Sequence, residues 1–219
     1  VNTLKSSEEN VLAELKNAGL EVQPHPVFDK ALVLKGRPRL NNLEGFKTGK
    51  FEVQDAGSQS IAPFLNPKPG STVIDACAGA GGKTLHLGAL MQNKGALIAM
   101  DVEGRKLGEL LKRTQRSGLS IVQTRAWEEP GVLEELSNSA DYLLLDVPCS
   151  GSGVIKREPD TKWKLQPEHL DRLESVQFSI IRDYSSLLKT GGIMVYATCS
   201  ILPKENRLQV DAFLAHPAG

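Results

Sequence analysis

The sequence predicts an α/β protein with a doubly wound, mostly parallel sheet, preceded by a small α+β unit. Two observations carry this. From Ser71 onward, short apolar runs alternate with amphipathic stretches of helical period, the pattern of a parallel sheet covered on both faces. The unusual residues then fall just past the ends of those apolar runs, where ligands bind in such sheets. At 219 residues the chain holds one sizeable domain and a small appendage.

The elements follow in order. "SSEENVLAELKNAG" reads as a helix with Ser6 or Ser7 as its cap and Gly19 as its stop. "ALVLKG" reads as a strand and "RPRLNNLEGFKTGKFEVQD" as turns around short extended pieces. Residues 1–50 therefore form the predicted N-terminal unit, docked on a domain spanning 51–219. "STVIDAC" begins the main sheet. A glycine-rich turn and the helix "GKTLHLGALMQ" follow, then the strand "GALIAMD" and the helix "EGRKLGELLKRTQRSG". "SIVQT" and "DYLLLDVP" are the third and fourth strands, and a helix over "PEHLDRLESVQFSIIRDYSSLLKTG" leads into the fifth, "GIMVYATC".

Composition narrows the function classes. Acidic and basic residues balance at 26 each, so any nucleic-acid contact rests on local patches rather than a global field. No apolar run approaches the roughly 18 residues that span a bilayer, and no signal peptide opens the chain. Cys77, Cys149 and Cys199 are an odd set without metal-ligand spacing, which fits a reduced, cytoplasmic protein. His25, His86, His169 and His216 are scattered and read as structural or surface residues. The chain begins without methionine and stops just after a predicted helix, so it reads as a fragment of a longer protein.

Three stretches bear chemistry. "DACAGAGGKT" (75–84) sets Gly79, Gly81 and Gly82 between a strand and a helix, letting backbone approach a ligand closely. Its spacing fits neither a P-loop nor a dinucleotide fingerprint. Asp101 ends the next strand, where a carboxylate accepts hydrogen bonds from a ribose diol. Together they point to an adenosine-containing ligand; the alternative is a tight turn and a surface aspartate. "LLLDVPCSGSGV" (143–154) and "GGIMVYATCSILP" (191–203) place Cys149 and Cys199, 50 residues apart, just beyond two apolar runs. If those strands are neighbours, the thiols meet at one crevice. Cysteine adds to a weak electrophile near neutral pH, and a second thiol then serves as a base. The alternatives are a redox pair, without the usual C-x-x-C spacing, and two incidental small hydrophobes.

These motifs, with "KW" and "YATCS", resemble the RNA 5-methylcytosine methyltransferases, the family of the bacterial 16S rRNA enzymes and the eukaryotic NOL1/NOP2/Sun proteins, over nearly the whole chain. The resemblance implies the Rossmann-like fold of S-adenosylmethionine-dependent methyltransferases, and methyl transfer to C5 of a cytosine in RNA. It implies that the loop Cys77, Ala78, Gly79, Ala80, Gly81, Gly82 and Lys83 holds S-adenosylmethionine, with Asp101 on the ribose and Asp146 beside the cofactor. Cys199 would attack C6 of the base, Asp146 would hold the N3/N4 edge, and Cys149 would take the C5 proton so that Cys199 leaves. Lys83 would lie near the base or its phosphate.

The chain departs from the family at three places. Ala80 stands where a proline is usual. "QTRAWEEP" lacks the aspartate that contacts the adenine amino group, leaving Glu128 or Glu129 as substitutes, or Trp127 to stack on the adenine or sit in the core. The family's sheet ends with a hairpin of two further strands, and the sequence stops before them, leaving an edge that the full protein is expected to complete. "KREPDTKWK" (156–164), with Lys35, Arg37, Arg39, Lys47 and Lys50, forms a basic and aromatic surface suited to single-stranded RNA; the alternative is a solvated charge run. Ribosomal RNA is the expected substrate and tRNA the runner-up, acted on by a monomer without a metal or a membrane. Methyl transfer to DNA or a small molecule, and a non-catalytic RNA-binding scaffold, are the competing readings.

Overall fold

The computed structural model describes residues 1–217, apart from the side chains of Lys162 and Lys164. Helix α1 (Glu8–Asn17) starts at Ser7, whose side chain accepts from the Asn10 N–H. Its buried Val11 and Leu15 pack with Leu40 and Phe51 into a small cluster. Beside it lie the antiparallel pair β1 (Val22–Pro24) and β2 (Leu32–Leu34) and the single turn α2 (Glu44–Lys47). Sequence pattern found β2 but neither β1 nor α2, whose three or four residues leave no periodicity to read.

Helix α3 (Ala56–Leu65) was also not expected. It contains Pro63, and its only start signal is Asp55, which accepts from the Ser58 N–H. Tertiary packing holds it: Ala62 and Leu65 are buried among Val73, Leu87, Tyr142 and Val195. Its C-terminal Asn66 is left-handed at φ 49°, a geometry that asparagine tolerates.

The main sheet then runs β3 (Thr72–Asp75), α4 (Gly82–Leu90), β4 (Ala96–Asp101), α5 (Gly104–Ser117), β5 (Val122–Ala126), α6 (Val132–Leu136), β6 (Ala140–Asp146), α7 (Thr161–Lys164), α8 (Pro167–Tyr184), β7 (Leu188–Ala197) and α9 (Arg207–Leu214). Among the described residues its strands lie in the order β5-β4-β3-β6-β7, and every neighbouring pair is parallel. Apolar residues line both faces, as two-sided burial requires. Ile74, Ile98, Leu143 and Leu145 meet Ile181, Tyr184 and Phe213 on one side. Val73, Leu97 and Leu144 meet Leu87 and Met91 on the other. This alternation is the period-two pleat read along each strand.

The fifth strand starts earlier than its apolar run. Helix α8 ends at Tyr184, a 3-10 turn spans Ser185–Leu187, and β7 begins at Leu188. The register jumps from Ala140–Leu188 to Tyr142–Ile193, and the extra residues include Gly191 at φ 81°. A glycine relieves such a bulge because it has no Cβ to clash. The chain leaves β3 for β4 on one side and returns to β6 on the other. The loops after β3 and β6 therefore diverge around one crevice at the carboxyl edge, the place such sheets reserve for ligands. No helix among the described residues is long and apolar enough to cross a membrane.

Candidate active site

Strands β6 and β7 are neighbours, with Asp146 opposite Ala197, so both cysteine loops leave the same edge. Cys149 Sγ and Cys199 Sγ stand 3.2 Å apart. The Cys199 N–H donates to Cys149 Sγ at 3.3 Å, and the Gly153 N–H donates to the Cys199 carbonyl at 2.9 Å. A Cβ on Gly153 would lie 2.7 Å from that carbonyl oxygen, so only glycine lets the loops approach this closely. The "CSGSG" turn is thus pinned to the "TCS" loop, and the N–H groups of Ser150, Ser152 and Gly153 are all spent on internal acceptors. Ser152 Oγ and Ser200 Oγ are 2.9 Å apart, and Ser152 Oγ accepts from the Ile201 N–H.

The thiols share one proton unequally. Hydrogen bonding from Cys149 brings Cys199 down to about 7, against burial and the Asp146 charge, with Lys83 assisting. The same bond, with burial, pushes Cys149 well above the ordinary thiol range. Cys199 is exposed and Cys149 half-buried. Cys199 is therefore the more readily ionised of the two thiols.

Lys83, in the first turn of α4, donates to Asp146 Oδ2 at 2.5 Å, and both side chains are mostly buried. This pair stands between the glycine loop and the cysteines, and its charge reaches Cys199. Thr84, beside Lys83, donates to Asp75 Oδ2 at 2.7 Å. Asp75 has no exposed surface; burial raises it to about 7 despite the Thr84 bond. Its Oδ1 has no hydrogen-bond partner among the described residues.

The glycine loop is built on β3 and β4. Gly79 at φ 55° donates its N–H to Asp101 Oδ2 at 2.9 Å, and the Glu103 N–H donates to Asp101 Oδ1 at 2.8 Å. Each carboxylate oxygen keeps a lone pair, which suits a ribose diol. A Cβ on Gly79 would meet nothing within 4 Å, so the loop faces open space. Gly81 at φ 88° is the N-terminal cap of α4 and Gly82 its first residue. Cys77 is half-buried, and burial pushes its thiol far up; Ala78 is buried on Ala99 and Leu110. The Ala80 carbonyl accepts from Arg113 at 2.7 Å, which restrains the loop where the proline is absent. Val102, next to Asp101, is 59% exposed, an apolar platform for a flat heterocycle that the sequence reading did not single out. These groups fit a nucleoside-bearing cofactor.

The region after β5 resolves in part. Trp127 packs on the core with its ring 4.6 Å from Tyr184. Glu129 is held by Arg125, which donates to both its oxygens, so Glu129 is not a free substitute for the missing aspartate. Of the predicted basic surface, Lys35 pairs with Glu21 and Lys50 with Glu14. Arg37 and Arg39 line a cleft of about 1040 Å³ between the N-terminal unit and α4, where Arg157 pairs with Asp55 at 2.8 Å. Trp163 is 75% exposed. Lys162 and Lys164 lie outside the described side chains. His25 caps its own turn through Nδ1, accepting from Val27 and Phe28, and burial lowers His86 to about 4.

One residue the motifs did not flag is Glu205, fully buried behind both cysteine loops. It lies six residues past Cys199 in "ILPKEN", where nothing in the local pattern separates it from a surface charge.

Known proteins resemble this chain in sequence and fold. The probable ribosomal RNA small subunit methyltransferase B of Bacillus subtilis (strain 168) is 36% identical over 99% of this chain and 49% of its own. The crystal structure of the protein PH0851 superposes with a TM-score of 0.93 at 36% identity, over 99% of this chain and 49% of that one. A methyltransferase homolog protein from Pyrococcus horikoshii gives a TM-score of 0.85 at 32% identity, over 99% and 68%. The chain spans about half the length of the curated relatives it matches. Residues 62–218 match the 16S rRNA methyltransferase RsmB/F family. The chain belongs to the RsmB/F family of S-adenosylmethionine-dependent rRNA methyltransferases.

Proposed function

We propose that this chain carries the catalytic domain of an enzyme that methylates C5 of a cytosine in small-subunit ribosomal RNA. The observation that carries the reading is the pair of thiols 3.2 Å apart, at the edge that also holds the Lys83–Asp146 pair and the glycine loop. Bound at the loop of Cys77–Lys83 and Asp101, S-adenosylmethionine supplies an electrophilic methyl group.

The chain's own residues account for the rest. C5 of cytosine is a poor nucleophile in the aromatic ring. The Cys199 thiolate adds to C6, forming an S–C6 bond and moving the C5–C6 π pair toward C5 and N3. Asp146, oriented by Lys83, holds the N3/N4 edge; a proton taken up at N3 from solvent as the thiolate adds returns to solvent when Cys199 leaves. Once its charge is consumed in the C–S bond, Cys199 no longer accepts a hydrogen bond from the Cys149 thiol, which then gives up its proton more readily. That proton passes to solvent, and Cys149 removes the C5 proton after methyl transfer. The C5–H pair re-forms the C5–C6 double bond, the S–C6 bond breaks, and Cys199 leaves as thiolate. Two thiols have two tasks.

The test is a covalent trap. A chain carrying Cys149→Ser, given S-adenosylmethionine and small-subunit rRNA, is expected to accumulate a protein–RNA adduct on a denaturing gel. The adduct should vanish in the Cys149→Ser, Cys199→Ser double variant. An adduct that persists in the double variant, or none with any RNA despite normal cofactor binding, would overturn the reading. An adduct with tRNA alone would move the substrate class.

A further inference from the structure

Glu205 closes the 3-10 turn Pro203–Glu205 and has no exposed surface. Its Oε1 accepts from the Ser150 N–H at 2.7 Å and from Gln177 Nε2 at 3.0 Å. Its Oε2 accepts from Ser150 Oγ at 2.5 Å and, closer still, from Ser200 Oγ. Ser150 follows Cys149, and Ser200 follows Cys199. One carboxylate oxygen therefore ties together the residues next to the two thiols. Gln177, from α8, also donates to the Pro148 carbonyl at 2.9 Å, fixing the other side of Cys149. The Tyr196 hydroxyl donates to the Glu205 carbonyl at 2.9 Å, tying the turn back to β7.

We infer that Glu205 is a positioning residue that clamps the two cysteine loops and so sets the sulfur–sulfur contact on which the thiol division of labour depends. This rests on the reading of Cys149 and Cys199 as the reacting thiols. A buried carboxylate is costly unless fully hydrogen-bonded. Here four donors meet it, and although burial raises the group, the serine and glutamine bonds outweigh that and leave it below the ordinary carboxylate range. It is a charge at working pH, and no neutral side chain of its size accepts four such bonds. The groups facing Cys199 are Cys149 after β6, Asp146 at the end of β6 and Lys83 from α4. Of these, the Cys149 bond has the largest effect and is the one the clamp controls.

The replacement Glu205→Gln keeps the shape but removes the charge and leaves one acceptor oxygen where there were two, so Ser150 Oγ and Ser200 Oγ lose the anion to which both donate. The loops should part and the thiol–thiolate bond weaken. The readout is the pH dependence of Cys199 alkylation by iodoacetamide, followed by peptide mass, with no RNA or cofactor present. The parent chain should show a midpoint near 7. The variant should move up by about one pH unit or more, roughly a tenfold loss of rate at pH 6. Its affinity for S-adenosylmethionine should stay within about twofold, because the glycine loop lies elsewhere. A folded variant with an unchanged midpoint overturns the inference. Should Glu205→Gln fail to fold, Ser150→Ala with Ser200→Ala removes the two hydroxyl donors and leaves the carboxylate paired to the Ser150 N–H and Gln177. The same upward shift is expected, and an unchanged midpoint overturns the clamp. A Cys149→Ser chain that forms no RNA adduct, while Glu205→Gln still shifts the midpoint of the otherwise parent chain, would sink the methyl-transfer reading and leave the clamp standing.

Discussion

Cys199 and Cys149 are set apart by the bond between them. Hydrogen bonding with Cys149 lowers Cys199 to about 7 from the ordinary 9.0. Asp75 shows the converse, a carboxyl kept protonated by full burial. Its folded value of about 7 lies above the ordinary 3.8. The native state therefore holds a proton that the unfolded chain has lost, and stability falls as pH rises through that window. Asp75→Asn removes this dependence. The gap between variant and parent should widen in the variant's favour by on the order of 2–4 kcal/mol from pH 5 to pH 8. Denaturant midpoints at the two pH values measure it; parallel curves would mean that Asp75 does not titrate there. Sequence placed Asp75 at the end of a strand. It gave no sign that the carboxyl would be sealed from water, because burial depends on what the other elements bring over it.

At the scale of elements, the glycine loop works through backbone shape. Gly81 takes φ 88°, and a Cβ there would lie 2.7 Å from Leu110 Cγ on α5. Gly81→Ala is expected to cost about 1–3 kcal/mol, from the left-handed conformation and the crowding together. It should also weaken S-adenosylmethionine, since the first turn of α4 must shift. A thermal melt beside a cofactor titration checks both; an unchanged melt would show that Leu110 yields freely. The strands of the main sheet were legible because two-sided burial writes continuous apolar runs, as in "LLLD" of β6. Helix α3 was not, because Pro63 breaks the local pattern and only packing on β7 and α4 restores it. The extent of β7 was misread for a related reason. "LKTGG" has no strand pattern and joins the sheet through a bulge.

Across the whole molecule, the N-terminal unit and the segment that follows it are fastened to α5 by polar contacts. Asn2 donates to the Gly49 and Ser117 carbonyls at 2.8 and 2.9 Å. Glu52 accepts from Arg113 at 3.0 Å and from Arg116, and the Arg116 guanidinium lies 4.4 Å over the Phe46 ring. Glu52→Gln leaves two partly buried guanidinium groups short of an anion. It should destabilise the chain by about 1–3 kcal/mol, read by urea unfolding. A midpoint equal to the parent's would show that solvent replaces the carboxylate. The same fastening shapes the cleft lined by Arg37, Arg39 and Arg157, so the variant is also expected to weaken RNA binding more than cofactor binding.

The sequence by itself determined the fold class, the glycine loop, Asp101 and the two cysteine motifs. Each is written locally, in apolar period, in glycine spacing or in a few adjacent residues. Only the tertiary structure decided that the two thiols meet, that Lys83 is spent on Asp146, and that Glu205 ties Ser150 to Ser200. Those facts depend on distances between residues tens of positions apart. Such distances are set by strand order and burial, and no local pattern encodes them.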